Sequence, residues 1–363
     1  YTRKQIFEFA ESELLAIENE LKVPGSSEYG RVDRVAGWFL LARMYLNAQT
    51  WINENKYQEA YAYAVKVIAD GHYPLASDYR EIFLADNNTC KEIIWPLVQD
   101  GLRAQSSAGT NFYVKAFVNG PMDELYKTGV GSRGWGNVRA KVSLVDAFDA
   151  DDVMFDGNDT WGNNKKDKRA QFMTALPNQV KDTWDVNMDM TSTFTCGYGY
   201  IKWRNVTKED ELCPSGDAYT SIDFPLFRTA DAYLMAAEAI LRGANGTQSE
   251  ALGYVNEVRT RAYMSGKYAK NGVRSDVSGE ITANELNLDF LLVERQKELA
   301  SELTRRTDLI RFGKYTKGNN WDWKNGVRLG ADVDDKYNLF PIPESELTNN
   351  PTLVQNDGYK VIK

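Results

Sequence analysis

The sequence has few of the residues on which most metal and nucleophilic sites depend. It holds one histidine, His72, and three cysteines, Cys90, Cys196 and Cys213. A single histidine excludes sites built on a histidine pair, and the cysteine spacing fits no zinc or redox motif. A Cys196–Cys213 disulfide is one conceivable pairing, but the odd cysteine count argues against a disulfide framework. Because no motif surrounds His72, we interpret it as a turn residue rather than a catalytic base.

Long apolar runs and excess positive charge are also missing. No stretch approaches the roughly 18 continuous apolar residues of a membrane helix, and no signal peptide is present. The net charge is −8, and an acidic surface repels phosphate backbones, so we expect no nucleic-acid partner. The chain opens at Tyr1 in a predicted helix start. We therefore interpret it as a processed or truncated part of a longer protein.

Apolar periodicity is abundant and predicts a mainly α fold. Apolar residues recur at helical spacing in 2–22, 32–47, 56–70, 227–240, 251–262 and 285–303. The pairs within 32–70 and 227–264 share an apolar pattern, which predicts two similar helical hairpins of the tetratricopeptide kind. We divide the chain into a helical scaffold, 1–84, a loop-rich region, 85–222, and a second scaffold with a tail, 223–363. The three parts are expected to form one unit.

The loop-rich region differs in composition from its surroundings. It is rich in Gly, Asn, Asp, Trp and Tyr and poor in periodicity, apart from a short alternating run in 198–203 that predicts a small strand. Loops on a rigid scaffold usually carry recognition. Aromatic residues make up 12% of the chain, and Tyr and Trp offer flat faces to sugars with hydrogen-bonding groups at their rims.

Five groups of segments, in this order and spacing, resemble the SusD/RagB family of outer-membrane glycan-binding lipoproteins. They are VAGWFLLARMYL at 35–46 with AYAYAVKVI at 60–68 and GHYPL at 71–75; EIIW at 92–95; FRTADAYLMAAEA at 227–239 with VNEVRTRA at 255–262; ERQKEL at 294–299 with RTDLIRFG at 306–313; and FPIP at 340–343 with NP at 350–351 and QNDGY at 355–359. One departure is visible, because the family commonly has Glu-Gly where this chain has Glu302-Leu303.

The resemblance implies a SusD-like α-α superhelix that binds glycans without catalysis. It implies capture of a polysaccharide or oligosaccharide at the cell surface and delivery to a SusC-like TonB-dependent outer-membrane transporter. It further implies a surface lipoprotein of the outer membrane, anchored through an N-terminal part that is missing here. The segment GWGNVR at 134–139 resembles one seen in starch-binding members, so an α-glucan such as starch is the favoured ligand.

Residues 111–139 supply the aromatic faces and polar groups that sugar binding needs. From this stretch we predict a glycan-binding set of six residues, Tyr113, Phe117, Tyr126, Trp135, Asn137 and Arg139. A buried structural role for Trp135 is the alternative interpretation. A second candidate cluster is Tyr198, Tyr200 and Trp203.

The charge run in the last third is interpreted as structural rather than catalytic. We expect ion pairs from Glu294, Glu298, Arg306, Asp308 and Arg311 to tie the last long helix to the tail that holds Pro341 and Pro343.

No cofactor is expected. The oxygen-rich runs 86–88 and 149–152 could hold Ca²⁺, but neither has an EF-hand pattern and solvated turns are favoured. Two other functions stay open: a glycoside hydrolase, which needs only two of the 51 acidic residues, and a protein–protein scaffold of the tetratricopeptide type.

Overall fold

The computed structural model describes residues 1–118, 123, 126–153, 162, 164–173, 198–264 and 278–360. Its helices are α1 (Arg3–Ile17), α2 (Arg34–Ile52), α3 (Tyr57–Asp70), α4 (Thr110–Ala116), α5 (Val142–Val145), α6 (Ala150–Val153), α7 (Thr229–Leu241), α8 (Gln248–Met264), α9 (Leu288–Leu299), α10 (Arg305–Arg311) and α11 (Glu344–Asn349). Its strands are β1 (Ile93–Leu97), β2 (Phe172–Met173), β3 (Gly199–Tyr200) and β4 (Phe224–Arg228). Within these ranges no helix is long and apolar enough to cross a membrane.

The two predicted hairpins are present, and local sequence explains where their helices begin and end. Asp33 caps α2 by accepting hydrogen bonds from the backbone N–H groups of Val35 and Ala36. Gly71 ends α3 in the left-handed conformation, with φ of 73°. The hairpins α2–α3 and α7–α8 meet because α7 packs against both α3 and α8. The mainly helical fold predicted from periodicity is therefore confirmed.

Small side chains allow the two hairpins to share one core. Alanines on facing helices are completely buried there: Ala60, Ala64, Ala232, Ala236 and Ala239. Phe39 of α2 stacks on Phe227 with ring centroids 4.6 Å apart. The apolar core thus runs from the first helices of the chain directly to α7.

Two sequence-based boundaries are wrong. Phe227 does not begin a helix but lies in β4, which pairs antiparallel with β1, Ile93 opposite Arg228 and Leu97 opposite Phe224. The helix predicted for 285–303 is shorter, since α9 ends at Leu299 and α10 begins only at Arg305. Between them Ser301 and Leu303 adopt φ values of 61° and 62°. An apolar pattern can continue across such a break, so periodicity alone does not reveal it.

One side of α9 packs against a group of buried, ion-paired side chains. Five acidic residues meet five basic ones there, and we call this group the Glu298 network: Glu92, Asp167, Glu294, Glu298 and Glu302 with Arg169, Lys202, Arg228, Arg259 and Arg261. Glu298 is fully buried and accepts hydrogen bonds from Arg228 at 2.7 Å, from Arg169 at 3.1 Å and from Arg261.

A second buried group lies on another side of α9, and we call it the Arg295 network: Asp231, Glu238 and Asp308 with Arg43, Arg242, Arg295 and Arg311. Arg295 donates to both oxygens of Asp308, at 2.9 and 3.0 Å, and to Asp231 at 2.8 Å. Arg311 donates two hydrogen bonds to the carboxylate of Glu238, at 2.7 and 2.8 Å. The network joins α9 to α7 and α10.

Attraction outweighs burial for a carboxylate in each network, Glu298 and Glu238. Burial alone would raise the pKa of Glu298, but Arg261, Arg228 and Arg169 hold it well below its usual range. In the same way Arg311, Arg295 and Arg242 overcome burial and lower the pKa of Glu238 to about 2. Both carboxylates are therefore ionised at neutral pH, and their charge is matched inside the protein rather than by water.

The predicted tie between the charge run and the tail holds for one residue only. Glu294, Glu298, Asp308 and Arg311 point into the two networks, and not to the tail. Arg306 alone reaches it, donating to the carbonyls of Tyr337 at 2.8 Å and Asn338 at 3.2 Å, and lying over the ring of Phe340 at 4.2 Å. Residues at i and i+4 share a helix face, and that face is the buried one.

Replacing Leu303 by glycine should stabilise the protein. Leu303 is 75% exposed and has left-handed backbone, which costs a non-glycine residue roughly 1–2 kcal/mol. After the greater chain entropy of glycine is subtracted, Leu303→Gly should raise the free energy of unfolding by about 1 kcal/mol in urea denaturation. The control is Leu102→Gly, a residue 62% exposed with ordinary backbone, which should not stabilise. A loss of stability in Leu303→Gly would contradict the assignment.

Replacing Glu298 by glutamine should be strongly destabilising at neutral pH. The isosteric amide removes the charge that three buried arginines share, and breaking a buried ion pair by removing one partner typically costs about 3–5 kcal/mol. Denaturant unfolding measures the loss.

The matched control is Glu209→Gln, since Glu209 is exposed, and it should change stability little. Acid supplies a second readout. The networks lower the pKa values of Glu298 and Glu238, to about 2 for Glu238. Their stabilisation is therefore complete above the ordinary glutamate pKa of about 4.5 and is lost as pH falls from there towards 2. Over that pH range the free energy of unfolding should fall less steeply in the Glu298→Gln variant than in the wild type. Equal pH dependence in the two proteins would contradict this account.

Candidate functional site

The segment that follows α4 returns along the end of that helix and places Trp135 beside it. The backbone N–H groups of Trp135 and Asn137 donate to the carbonyls of Lys115 at 2.8 Å and Ala116 at 3.0 Å. Between them Gly136 donates to Val118 at 2.8 Å with φ of 58°, a conformation that favours glycine. Glycine at position 136 therefore allows the backbone to pass close to the end of α4.

This path leaves two aromatic side chains on the surface. Trp135 is 40% exposed and Phe112 of α4 is 42% exposed, with ring centroids 6.1 Å apart. Asn137, two residues after Trp135, is also exposed. We call these three residues the Phe112–Trp135 surface. It combines apolar ring area with an amide that can both donate and accept hydrogen bonds.

Two of the six predicted residues point into the protein instead. Tyr113 is half-buried, and its ring packs against Trp203 at 5.5 Å and Phe224 at 5.9 Å. Burial raises the pKa of Tyr113. Tyr126 is only 4% exposed and belongs to the same apolar cluster. We therefore remove Tyr126 from the glycan-binding set and place Tyr113 beneath Phe112, where it supports the surface.

The remaining two predicted residues lie elsewhere. Phe117 and Arg139 line a cavity of about 390 Å³ that neither Trp135 nor Asn137 lines. The second candidate cluster is also mostly internal, since Tyr200 and Trp203 are each 1% exposed. The alternating run in 198–203 does form a short strand, β3, but both of its residues are buried, so the alternation does not show which side chains face water.

Phe112 is the residue that the six-residue set missed. It precedes Tyr113 on α4, and neighbouring residues on a helix face different directions, so only one of the two can be outward. α4 has seven residues, which is too few turns for a periodic pattern to show which of them it is.

The residues considered for metal binding serve the backbone. Asp152 accepts from the N–H groups of Lys166 at 2.6 Å and Asp167 at 3.0 Å, and Asp86 accepts from Lys208 at 3.1 Å. In the described ranges, no three His, Cys, Asp or Glu side chains form a group that could hold a metal ion. Cys90 and Cys213 are buried free thiols, and Cys196 lies outside the described residues.

Comparison with known proteins shows the family to which this chain belongs. The model of the SusD family, named SusD_RagB, matches residues 91–359. This chain belongs to the SusD family. The starch-binding protein SusD of Bacteroides thetaiotaomicron is 32% identical over 98% of this chain, and the match spans 66% of the length of SusD. The SusD-like protein P25 of Formosa agariphila is 25% identical over 91% of this chain and 59% of its own length.

Solved structures show the same fold. A SusD-like protein from Bacteroides fragilis superposes with a TM-score of 0.69 at 21% identity, covering 98% of this chain and 71% of that one. Surface glycan-binding protein A from Bacteroides thetaiotaomicron, in complex with laminarihexaose, superposes with a TM-score of 0.65 at 22% identity, covering 98% and 70%. The chain therefore has the fold of SusD-like proteins over nearly its whole length.

Stability measurements on two tryptophan variants should separate the surface from the core. Trp203 is 1% exposed and is packed by Phe83, Tyr113 and Phe224, so Trp203→Ala should lower the free energy of unfolding by about 3–5 kcal/mol. Trp135→Ala should lower it by less than about 1.5 kcal/mol, because much of that side chain already faces water. Equal losses in the two variants would show that Trp135 is a core residue.

Proposed function

We propose that this protein binds a polysaccharide or oligosaccharide without catalysis and that the Phe112–Trp135 surface is part of its binding site. The observation that carries the proposal is a pair of exposed rings, Phe112 on α4 and Trp135 on a loop that backbone hydrogen bonds fix against α4. Flat apolar rings cover the C–H faces of a pyranose, and Asn137 bonds its hydroxyl groups. A rigid backbone lowers the entropy lost when a ligand orders the site.

An α-glucan such as starch is the first candidate ligand. The name of the relative that is 32% identical, starch-binding protein SusD, supports it. A fold neighbour in complex with laminarihexaose supports a glucan of another linkage as the second candidate. Both candidates present repeated pyranose faces to an aromatic surface.

The carboxylates that hydrogen-bond within this loop support binding over hydrolysis. Asp123 accepts from the N–H groups of Val130 and Gly131, each at 3.0 Å, and Asp217 pairs with Arg133 at 3.0 Å. A glycosidase needs one carboxyl group to protonate the leaving oxygen and a second to act as nucleophile or base. Asp123 and Asp217 are instead engaged in holding the loop.

We propose the cellular setting from family membership. The protein would lie on the outer-membrane surface as a lipoprotein, anchored through an N-terminal segment, and pass its glycan to a SusC-like TonB-dependent transporter. Its net charge of −8 disfavours a nucleic-acid partner. No cofactor is required for stacking and hydrogen bonding, so chelation by EDTA should leave binding unchanged.

The Trp135→Ala variant of the full-length protein should bind maltoheptaose more weakly by roughly 5- to 150-fold, since burying one large side chain contributes roughly 1–3 kcal/mol. Isothermal titration measures the affinity. The matched control is Trp51→Ala, because Trp51 is 37% exposed on α2, and it should bind like the wild type. Unchanged binding by folded Trp135→Ala would remove this surface from the site. Release of reducing ends from starch by wild-type protein would favour the hydrolase.

A further inference from the structure

The cavity that Phe117 and Arg139 line lies between the end of α9, α10 and the segment before α5. Its volume is about 390 Å³, within the range of 300–1,000 Å³ that small-molecule sites occupy. Among the residues that the structure describes, the basic lining residues of the cavity are Arg139, Lys141, Arg295, Arg305 and Arg306, and the only acidic one is Asp308. Trp135 and Phe112 do not line it, so it is separate from the Phe112–Trp135 surface.

Asp308 does not balance the charges of Lys141, Arg305 and Arg306. Both oxygens of Asp308 accept hydrogen bonds from Arg295, and one also accepts from Arg311 at 2.7 Å. Arg295 is paired further with Asp231. Asp308 is therefore neutralised within the Arg295 network, and the other basic residues of the cavity remain to be accounted for.

Arg305 is a cation held by neutral groups. Its guanidinium donates to the carbonyl of Leu292 at 2.9 Å and to the side-chain oxygen of Gln296 at 2.8 Å. Among the described residues no carboxylate oxygen comes within 4.0 Å of Arg305 or Arg306. Burial lowers the pKa of Arg305 to about 10, outweighing the attraction of Asp308. An anion beside this guanidinium would relieve the cost of burying it.

Lys141 adds positive charge at the same cavity. Its ammonium donates to the backbone carbonyl of Asp322 at 2.9 Å. The carboxylate of Asp322 accepts the backbone N–H of Val142 at 2.7 Å, and among the described residues Lys141 forms no ion pair within 4.0 Å. Lys141, Arg305 and Arg306 therefore bring three positive charges to this cavity that no described carboxylate pairs with.

Aromatic rings and neutral polar groups complete the lining. Tyr315 and Trp321 lie with ring centroids 5.8 Å apart, and Phe117 and Tyr200 face the same space. Hydrogen-bonding groups come from Ser143, Gln296, Ser301, Thr304 and Asn319. Rings suit the C–H face of a pyranose, amides and hydroxyls suit its hydroxyl groups, and a guanidinium fork suits a carboxylate or sulfate.

We propose that this cavity is a binding site for an anionic sugar, a pyranose that carries a carboxylate or a sulfate group. Arg305 binds the anionic group, and Tyr315 and Trp321 contact the ring. The site takes a charged unit of a glycan, whereas the Phe112–Trp135 surface takes neutral units. The two sites are independent, so failure of one assignment leaves the other in place.

The test uses glucuronate, glucose 6-sulfate and glucose as probes, with binding to the full-length protein followed by ligand-observed NMR. Wild-type protein should bind at least one anionic probe tenfold or more tightly than glucose, and the two anionic probes show which group is preferred. Raising the salt from about 0.05 to 0.5 M should weaken anionic binding, because screening shortens the range of the guanidinium charge.

Arg305→Gln should reduce binding of the preferred anionic probe at least tenfold and leave maltoheptaose binding unchanged. Lys208→Gln, which removes an exposed cation outside the cavity, is the matched control and should have no effect. If Arg305→Gln proves unfolded in a thermal melt, Trp321→Ala replaces it, with the same expected loss. Equal affinity of the wild type for glucose and both anionic probes overturns the proposal, and so does full anionic binding by a folded Arg305→Gln variant.

Discussion

Charge matching around α9 is the constraint on which the rest of this structure depends. The helix carries Glu294 and Glu298 on one face and Arg295 on another, and all three are almost fully buried. Each unpaired charge in such a place would cost several kcal/mol. Every element that packs on α9 must therefore present the opposite charge at one defined point, which apolar packing alone would not require.

This requirement fixes parts of the chain that have little regular structure. Arg169 and Lys202 come from segments next to two-residue strands, and Glu92 and Arg228 sit at the ends of β1 and β4. Arg228 donates to three carboxylates, those of Glu92, Glu298 and Glu302. Ion pairs thus fix the loop-rich region to the helices, although it contains only short strands.

Helices with a periodic apolar pattern can be predicted from the sequence. Element boundaries that depend on one long-range contact cannot. The periodic helices α2, α3, α7 and α8 follow from spacing, because each buries a stripe that recurs every three or four residues. The start of α7 was misplaced because Phe227 and Arg228 pair with β1, a partner more than a hundred residues away.

In the candidate site Trp135 and Asn137 are exposed as expected, but Tyr113 and Phe112 could not be told apart, since α4 is too short to show a face. Tyr126 was misjudged because aromatic residues in a glycine-rich segment look alike whether they cover a core or a ligand.

The same charge matching explains why one part of the interior is left positive. In α10 the residues Asp308 and Arg311, three apart, share a face and enter the Arg295 network. Arg305 and Arg306 precede Asp308 by less than one turn, and lie beside carbonyls and aromatic rings instead of carboxylates. Carbonyl groups and ring faces attract a guanidinium but do not cancel its charge. Acidic residues outnumber basic ones in this protein, whose net charge is −8. Even so, no acidic residue in the described part of the chain forms an ion pair with Arg305 or Arg306. The arrangement of α10 therefore gives the cavity two arginines without a described carboxylate partner, in contrast to the balanced networks that hold the same helix in place.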